Sequence, residues 1–368
     1  MPRSTVARID LQALRNNYLK ACERAGSAKA MAVVKADGYG HGIARVASAL
    51  NDLAPKYAVA CIEEAWAIRD AGLTQPVVLL QGVHAAEDIA ECSGKTFEPV
   101  LHGESQLEWL LKGGHRPVFW LKVNTGMNRL GFRPEELPGV MENLEKTGAL
   151  SQLQGFVTHF ACADDAGSAM TAEQTSVFIN ATSPWPTLLK SVANSAAHFI
   201  AGQPLFDWSR PGIMLYGGSP IVGKTGPELG LEPVMTLEAP LITTRVVRAG
   251  ESVGYGSVWT ARQDTLMGMV AVGYGDGYPR HAGTDTPAAI DGRRIRLIGR
   301  VSMDMLAVDL SNAPGVSVGD TVELWGRTVG VDEVASCAGT ISYELLTGLT
   351  SRVPRIVQPS ARQKPGAR

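Results

Sequence analysis

Short apolar runs alternate with longer segments of helical period from Ala30 to about Gly217. Runs that are apolar at successive positions fit strands buried on both faces, as parallel strands are when helices cover the sheet. Eight such units in succession predict a (β/α)8 barrel of the TIM type. The expected strands are Ala30–Ala36, Tyr57–Ile62, Pro76–Leu80, Glu98–Leu101, Val118–Val123, Leu153–Phe160, Leu188–Asn194 and Trp208–Tyr216.

Helix signals lie between these runs. From Glu63 to Gly72 apolar residues recur every three to four positions, and a glycine closes the segment. The segment from Pro134 to Leu137 has the proline and the acidic first turn of a helix start. The α/β pattern therefore predicts a barrel domain over residues 1–227.

The pattern changes after about Pro227, where strand-like segments are separated by Gly, Asp and Asn turns. This part predicts an all-β C-terminal domain over residues 228–368, with which the first few residues of the chain could pack. The expected strands are Leu241–Val247, Leu266–Val272, Arg294–Ile298, Met305–Leu310 and Thr321–Trp325.

Composition excludes several classes of partner. The formal net charge is -2 and the basic residues form no stripe, which argues against nucleic acid. No stretch approaches the roughly 18 apolar residues that span a bilayer, and the N-terminus has no apolar signal region, so a cytoplasmic protein is expected. The five cysteines are widely spaced without a Cys-x-x-Cys pair, which predicts neither disulfides nor a thiolate metal site.

A lysine, Lys35, ends an apolar run and is followed by a glycine-rich loop that extends to Gly42. The simplest interpretation of such a lysine is a charge at a solvated strand end. In a barrel, however, the C-terminal ends of the strands form the mouth of the active site. A lysine desolvated there loses its proton readily enough to form a Schiff base with a carbonyl compound.

The loop that follows Lys35 resembles the cofactor-lysine motif of bacterial alanine racemases, although Gly38 replaces a residue that usually has a side chain. Eight further motifs resemble that family in the same order, so the resemblance extends from Ile9 to Arg355. They are Leu121–Gly131, Thr158–Ala161, Asn194–Ser195, Ser209–Ile213, Tyr255–Gly256, Gly273–Gly277, Ser302–Asp304 and Tyr343–Glu344.

The resemblance implies a cofactor, pyridoxal 5'-phosphate, bonded to Lys35. It places Arg210 at the pyridine nitrogen, His159 between Arg210 and a phenol, and Arg129 at the ring oxygen. Taken alone, His159 reads equally well as a core histidine. Lys122 matches a position that is often carbamylated in the family, with an ordinary solvated lysine as the alternative. The residues expected around the phosphate are Tyr39, Ser195, Gly212, Ile213 and Tyr343.

Racemisation needs proton-transfer groups on both faces of the substrate Cα, because one group that returned the proton to the same face would not invert the centre. The resemblance assigns these roles to Lys35 and Tyr255. It also implies a homodimer in which each chain contributes Tyr255 to the other chain's site. The same chain would supply residues that narrow the substrate pocket or contact the substrate carboxylate, namely Tyr274, Met303 and Asp304.

Two other functions compete with racemisation. A decarboxylase of the related pyridoxal phosphate barrel type would offer a carboxylate to the ring nitrogen, where this chain has Arg210. A non-catalytic pyridoxal phosphate-binding protein resembles a lone barrel and would not need a β domain. Alanine is the expected substrate because Tyr274 and Met303 leave room for a methyl group, with serine as a minor one.

Overall fold

The computed structural model describes residues 4 to 358. The strands are β1 Val6–Ile9, β2 Lys29–Ala30, β3 Ala32–Val33, β4 Tyr57–Val59, β5 Val77–Leu79, β6 Phe97–Leu101, β7 Phe119–Lys122, β8 Leu153–Val157, β9 Leu189–Ser191, β10 Trp208–Ser209, β11 Met235–Val247, β12 Ser252–Val253, β13 Trp259–Thr260, β14 Thr265–Val270, β15 Pro287–Ile290, β16 Arg293–Ile298, β17 Leu306–Asp309, β18 Thr321–Trp325 and β19 Arg355–Val357.

Helices lie between many of these strands. The α-helices are α1 Leu11–Ala25, α2 Lys35–Tyr39, α3 Ile43–Ala49, α4 Ile62–Asp70, α5 Asp88–Lys95, α6 Glu104–Lys112, α7 Leu137–Lys146, α8 Met170–Thr182, α9 Val331–Cys337 and α10 Ser342–Gly348. Short 3-10 helices occupy Pro134–Glu136, Ala149–Gln152, Ala196–Phe199, Ile213–Tyr216, Pro227–Leu229, Tyr255–Ser257 and Tyr274–Asp276.

The strands β2 to β10 close into a parallel barrel. Each strand from β3 to β9 pairs with the next strand along the chain, and β10, the last strand of the barrel, pairs with β2. Because β2 and β3 are two pieces of one segment interrupted at Met31, the nine pairing strands form an eight-stranded barrel. This confirms the predicted (β/α)8 architecture.

Burial on both faces explains why the sequences of the barrel strands are mostly apolar. Every residue of β4, β5 and β6 is buried, including Glu98, so these strands have no polar face. The predicted helices are also present, since α4 begins at Ile62 and Pro134 opens a 3-10 turn that leads into α7.

Five of the predicted barrel strands end at least three residues earlier than their apolar runs. Three of them, β4, β8 and β9, end at Val59, Val157 and Ser191, each three residues before the predicted end. The other two leave the sheet in turns. The run that begins at Ala30 leaves the sheet after Val33, and Lys35–Tyr39 curls into a helical turn. The run from Trp208 leaves the sheet after Ser209, and Ile213–Tyr216 forms a 3-10 turn. In both places the buried chain continues as a turn, which an apolar run does not distinguish from a strand. All five boundaries were predicted wrongly.

The C-terminal sheet is antiparallel around a second, smaller closure. Its strands follow the order β14-β17-β16-β15-β18-β11, and β11 also pairs with β14, so these six strands form a closed ring. The N-terminal strand β1 pairs with β11, with Val6 opposite Glu238, and β19 pairs with β1 in parallel. Arg8 Nε donates to Glu238 Oε2 at 2.6 Å across this junction. The helices α9 and α10 belong to the same compact unit as this sheet.

The described chain divides into two compact units. One consists of residues 18–215 and 220–222, and contains the parallel barrel. The other consists of residues 4–17, 216–219 and 223–358, and contains the antiparallel sheet. Over the part of the chain that the structure describes, no helix combines the length and apolarity needed to cross a membrane.

Candidate active site

Lys35 follows β3 at the C-terminal end of the barrel and is partly buried. Burial lowers the pKa of its amine below the usual value, and the nearby Arg129 guanidinium lowers it further, while the Glu64 carboxylate opposes the shift. A lysine in this environment gives up its proton more readily than a solvated one, which is the property that carbonyl chemistry needs.

The chain after Lys35 turns in a left-handed sense. Ala36, Asp37, Gly38 and Tyr39 have φ values of 53, 53, 60 and 50°. Left-handed backbone costs about 1 to 2 kcal/mol per residue that has a Cβ, so the turn needs external support. Support comes from Glu64, which accepts the Ala36 amide at 2.6 Å, and from Asp37, whose Oδ1 accepts the Ile43 amide at 2.8 Å.

Gly38 suits this turn for two reasons. Its φ is positive, and a Cβ at this position would lie 2.9 Å from Cγ2 of Val46, closer than side chains pack. The glycine that departs from the family motif is therefore adapted to the tight approach of α3.

Ser195 and Tyr39 both lie against Gly212 on the barrel. The Ser195 hydroxyl accepts the backbone amides of Gly212 at 2.8 Å and Met214 at 3.4 Å. A Cβ on Gly212 would overlap the phenol oxygen of Tyr39. Ile213 is fully buried and begins the following 3-10 turn. The Ser195 hydroxyl, which accepts both amides, can still donate its own O–H, and serine and tyrosine hydroxyls are groups that hydrogen-bond a phosphate.

Arg210 lies in the barrel wall with almost all of its surface buried. It donates to the carbonyl oxygens of Thr158 and Val192 and to the Ser191 hydroxyl, and its Nη2 lies 3.3 Å from Nδ1 of His159. Burial lowers its pKa to about 10, so it remains a cation at neutral pH. The guanidinium is thus fixed in direction while keeping its charge.

The Arg210 contact fixes the tautomer of His159. Arginine can only donate, so Nδ1 of His159 must accept and Nε2 must carry the proton. Burial lowers the pKa of His159 well below its usual value, and the nearby cations, of which Lys122 has the largest effect, lower it further. The ring is therefore neutral and offers an N–H on its far side.

Lys122 ends β7 beside the same group of residues. Burial lowers the pKa of its amine well below the usual value, and Arg210 and Arg129 add to the shift. A strongly depressed pKa means that the amine can be neutral at physiological pH.

Positive charge is poorly compensated in this part of the barrel. Within residues 4–358, the side chains of Lys35, Lys122, Arg129 and Arg210 form no ion pair with a carboxylate. The carboxylate with a resolved effect on them is Glu64, which acts on Lys35. Such a cluster is complementary to an anionic ligand.

In the C-terminal unit, Tyr255 sits on a short hairpin with 70% of its surface exposed. The hairpin strands β12 and β13 flank it, and Val253 and Trp259 pack against a buried cluster that includes Met267 and Ile298. The hairpin is therefore anchored in the core while its tip presents the phenol to the surface.

The loops that hold Tyr274, Met303 and Asp304 lie against each other. The amide of Tyr274 donates to the Ser302 carbonyl at 3.1 Å, and the amide of Gly275 donates to the Met303 carbonyl at 2.8 Å. Arg352 joins the two loops by binding Asp304 Oδ1 at 2.7 Å and the buried Asp276 at 3.2 Å. Three of the predicted residues therefore share one surface of this unit.

Tyr343 lies in the first turn of α10, in the C-terminal unit, and is partly buried. Three contact residues were not predicted from the sequence, namely Glu64, Ser191 and Arg352. Glu64 had a usable signal, because it is an acidic residue in the first turn of the helix that follows a barrel strand. Among residues 4–358 no group of three or more His, Cys, Asp or Glu side chains is arranged to hold a metal ion.

Comparisons with known proteins agree with this arrangement. Residues 9–220 match the model of the alanine racemase N-terminal domain, and residues 234–357 match that of the C-terminal domain. An alanine racemase of Marinobacter nauticus is 69% identical over 97% of this chain and 99% of its own.

Solved structures give the same result. The crystal structure of biosynthetic alanine racemase from Pseudomonas aeruginosa has a TM-score of 0.93 and 44% identity, over 98% of this chain and 100% of that one. Alanine racemase from Bartonella henselae with covalently bound pyridoxal phosphate has a TM-score of 0.86 and 29% identity, over 97% and 100%.

The protein is of the two-domain class in which a parallel barrel has a lysine at its mouth and is followed in sequence by an antiparallel β domain. The chain belongs to the alanine racemase family. It is therefore an isomerase that acts on an amino acid, and neither the decarboxylase nor the lone-barrel alternative is supported.

Proposed function

We propose that this enzyme interconverts L-alanine and D-alanine with pyridoxal 5'-phosphate, and that Lys35 and Tyr255 transfer protons on opposite faces of the substrate Cα. The observation that supports this most strongly is the poorly compensated cationic cluster around the partly buried Lys35, whose pKa is lowered.

The residues of the barrel fit this cofactor. We place its phosphate at Ser195, Gly212 and Tyr39, where only a glycine lets the Tyr39 phenol oxygen approach the backbone so closely. Its aldehyde suits the amine of Lys35. Ile213 and Tyr343 are proposed to complete the phosphate site, as the family resemblance implies. A neighbour in the same family, from Bartonella henselae, has pyridoxal phosphate covalently bound.

When bound, the cofactor withdraws electrons from the substrate Cα and acidifies its hydrogen. Arg210 would donate to the ring nitrogen and, because it keeps its own proton, would leave that nitrogen unprotonated. Arg129 would donate to the ring oxygen. His159, neutral and with its proton on Nε2, would link Arg210 to the Tyr255 phenol.

Lys122 is proposed to be carbamylated. Its neutral amine would add to the carbon of carbon dioxide and release one proton, which leaves an N-carboxylate with a negative charge. The lowered pKa of Lys122 favours the neutral amine that this addition needs. The carboxylate would then compensate Arg129 and orient it, which explains how so many cations could share the site.

Tyr255 must reach a barrel mouth to act as a base, and its exposure leaves it available to another chain. We propose a homodimer in which Tyr255, Tyr274, Met303 and Asp304 of one chain line the site of its partner. Tyr274 and Met303 would narrow the pocket to the size of a methyl group, while Met303 and Asp304 would face the substrate carboxylate. The cytoplasmic location expected from the sequence belongs to the same proposal.

Borohydride labelling tests the lysine assignment. Reduction of the purified enzyme should fix a pyridoxyl group on the peptide that contains Lys35 and stop alanine racemisation, measured by chiral chromatography. Lys35→Ala should lose both the visible absorbance and the activity, while the exposed control Lys146→Ala should keep both. A pyridoxyl group on Lys122 instead of Lys35 would contradict the assignment.

A further inference from the structure

Glu64 connects two neighbouring loops at the mouth of the barrel. It lies in the first turn of α4, just after β4. Its Oε1 accepts the amide of Ala36 at 2.6 Å, and its Oε2 accepts the amide of Ala60 at 2.8 Å. Ala36 is the residue after Lys35, and Ala60 is the residue after β4, so one carboxylate bridges the ends of two adjacent strands.

We propose that Glu64 is a positioning residue for Lys35, which holds the backbone from which the lysine projects and balances the cations around its amine. The task of that amine is the one given under the proposed function. No motif points to Glu64, and its role follows from its contacts.

The backbone that Glu64 holds is the left-handed turn after Lys35. Residues 36–39 keep their shape partly through bonds inside the loop, in which Gly38 donates to Val34 and Gly40 donates to Ala36, both at 2.9 Å. The amide of Ala36 points out of this set, towards Glu64. A carboxylate with both oxygens engaged has little freedom to rotate, so it fixes the point at which the chain leaves the strand.

Glu64 is also the carboxylate that acts on the Lys35 amine among the cations around it. Three charged or titratable groups act with Lys35: Arg129 after β7, His159 after β8 and Glu64 on α4. Arg129 lowers the pKa of Lys35 and Glu64 raises it, whereas His159 is itself kept neutral partly by Lys35. Glu64 also acts on the Tyr39 phenol, whose pKa is raised by burial and then by this carboxylate.

A glutamine would not replace this glutamate. Its amide oxygen could accept one of the two backbone N–H groups, but its NH2 group would oppose the other. Glu64→Gln therefore removes the charge and one bridge, whereas Glu64→Asp keeps the charge and shortens the reach by one methylene. Glu108→Gln is the matched control, since it removes an exposed carboxylate from α6 of the same unit.

The experiment measures the proton affinity of the Lys35 amine directly. The full-length chain is treated with hydroxylamine and dialysed to remove carbonyl compounds, then labelled with trace acetic anhydride over a pH series. Mass spectrometry gives the rate at Lys35 relative to the exposed Lys146. Amide deuterium exchange of residues 35–40 is measured on the same samples. Neither readout needs the cofactor, so both are independent of whether the proposed function is correct.

Glu64→Gln should lower the midpoint of Lys35 labelling by about one pH unit, about tenfold in proton affinity, and speed the exchange of residues 35–40 several-fold. Glu64→Asp should restore most of the midpoint but not the slow exchange, and Glu108→Gln should change neither. An unchanged midpoint in Glu64→Gln, or an equal shift in Glu108→Gln, would overturn the proposal. If Glu64→Gln does not fold, exchange in Glu64→Asp as slow as in the unmodified chain would overturn it.

Discussion

Lys56 and Glu98 form a buried ion pair near the N-terminal ends of β4 and β6, whereas Lys35 follows the C-terminal end of β3. Lys56 Nζ lies 2.6 Å from Glu98 Oε2, and the two side chains are 7 and 6% exposed. Trp120 Nε1 donates to the same oxygen at 2.9 Å. The Lys56 ammonium also lies 5.0 Å from the ring centroid of Trp208 and 5.5 Å from that of Trp120.

Glu98→Gln should destabilise the barrel strongly. Glutamine can still accept the Trp120 bond, but Lys56 is left as a buried cation without a counter-charge. Breaking one partner of a buried pair costs about 3 to 5 kcal/mol, which corresponds to a fall in Tm of about 6 to 20 °C for a domain of this size. Urea unfolding followed by tryptophan fluorescence measures the change, since Trp120 and Trp208 report on this region.

The double variant Lys56→Met with Glu98→Gln separates the charge effect from packing. With both charges removed, the loss should be much smaller than the sum of the two single losses, because no uncompensated ion remains. Glu108→Gln, which breaks an exposed pair with Lys112, should leave the midpoint nearly unchanged. Additive losses in the double variant, or a Glu98→Gln midpoint equal to that of the unmodified chain, would refute this reasoning.

Three further predictions concern acid stability, cofactor binding and proton transfer. Burial and then Arg24 lower the pKa of His198 to about 4. Below the unfolded pKa near 6.5 the unfolded chain therefore binds a proton that the folded chain does not. The free energy of unfolding is unaffected by this histidine above that pH and falls by roughly 3 kcal/mol as pH falls towards 4. His198→Gln should flatten urea midpoints over that range, whereas exposed His115→Gln should not. Gly212→Ala should weaken pyridoxal phosphate binding at least tenfold in an absorbance titration, because its Cβ would meet Tyr39, whereas Gly139→Ala, in open space, should not. Tyr255→Phe should leave folding intact, slow racemisation by orders of magnitude, and preserve exchange of the Cα hydrogen with deuterated water better for D-alanine. Equal exchange from both enantiomers would contradict the division between Lys35 and Tyr255.

The barrel could be predicted because strands such as β4, β5 and β6 are buried on both faces and are therefore largely apolar. Where the chain leaves the sheet could not be predicted from the same signal. The turn at Lys35–Tyr39 depends on Glu64, 28 residues away from Ala36, and on the approach of Val46. Such long-range contacts have no local signature.

The N-terminal strand β1 and the C-terminal strand β19 show the same limit. β1 and β19 pair with each other, with Ala7 opposite Arg355, from the two ends of the chain. Each is only three or four residues long and has alternating or mixed polarity, so neither forms a recognisable run. Such short segments form strands because of the strands beside them in the folded protein, which for β1 are β11 and β19.

The candidate site was predicted mainly through motifs, and the residues outside them were missed. Lys35, His159 and Arg210 occur in recognisable sequences, and the structure brings them together on one barrel. Ser191 and Arg352 are common residue types in unremarkable positions, and their contacts with Arg210 and Asp304 are visible only in three dimensions.

The central claim, that two chains each supply one base to a shared site, is tested most directly by mixing two inactive variants. Lys35→Ala lacks one base and Tyr255→Phe lacks the other. If Tyr255 acts on the partner's site, a mixed dimer contains one site with both groups intact. Unfolding the variants together and refolding them should therefore restore alanine racemisation, up to about a quarter of the unmodified activity if chains pair at random. No recovery, with mixed dimers demonstrated by native mass spectrometry, would contradict the claim.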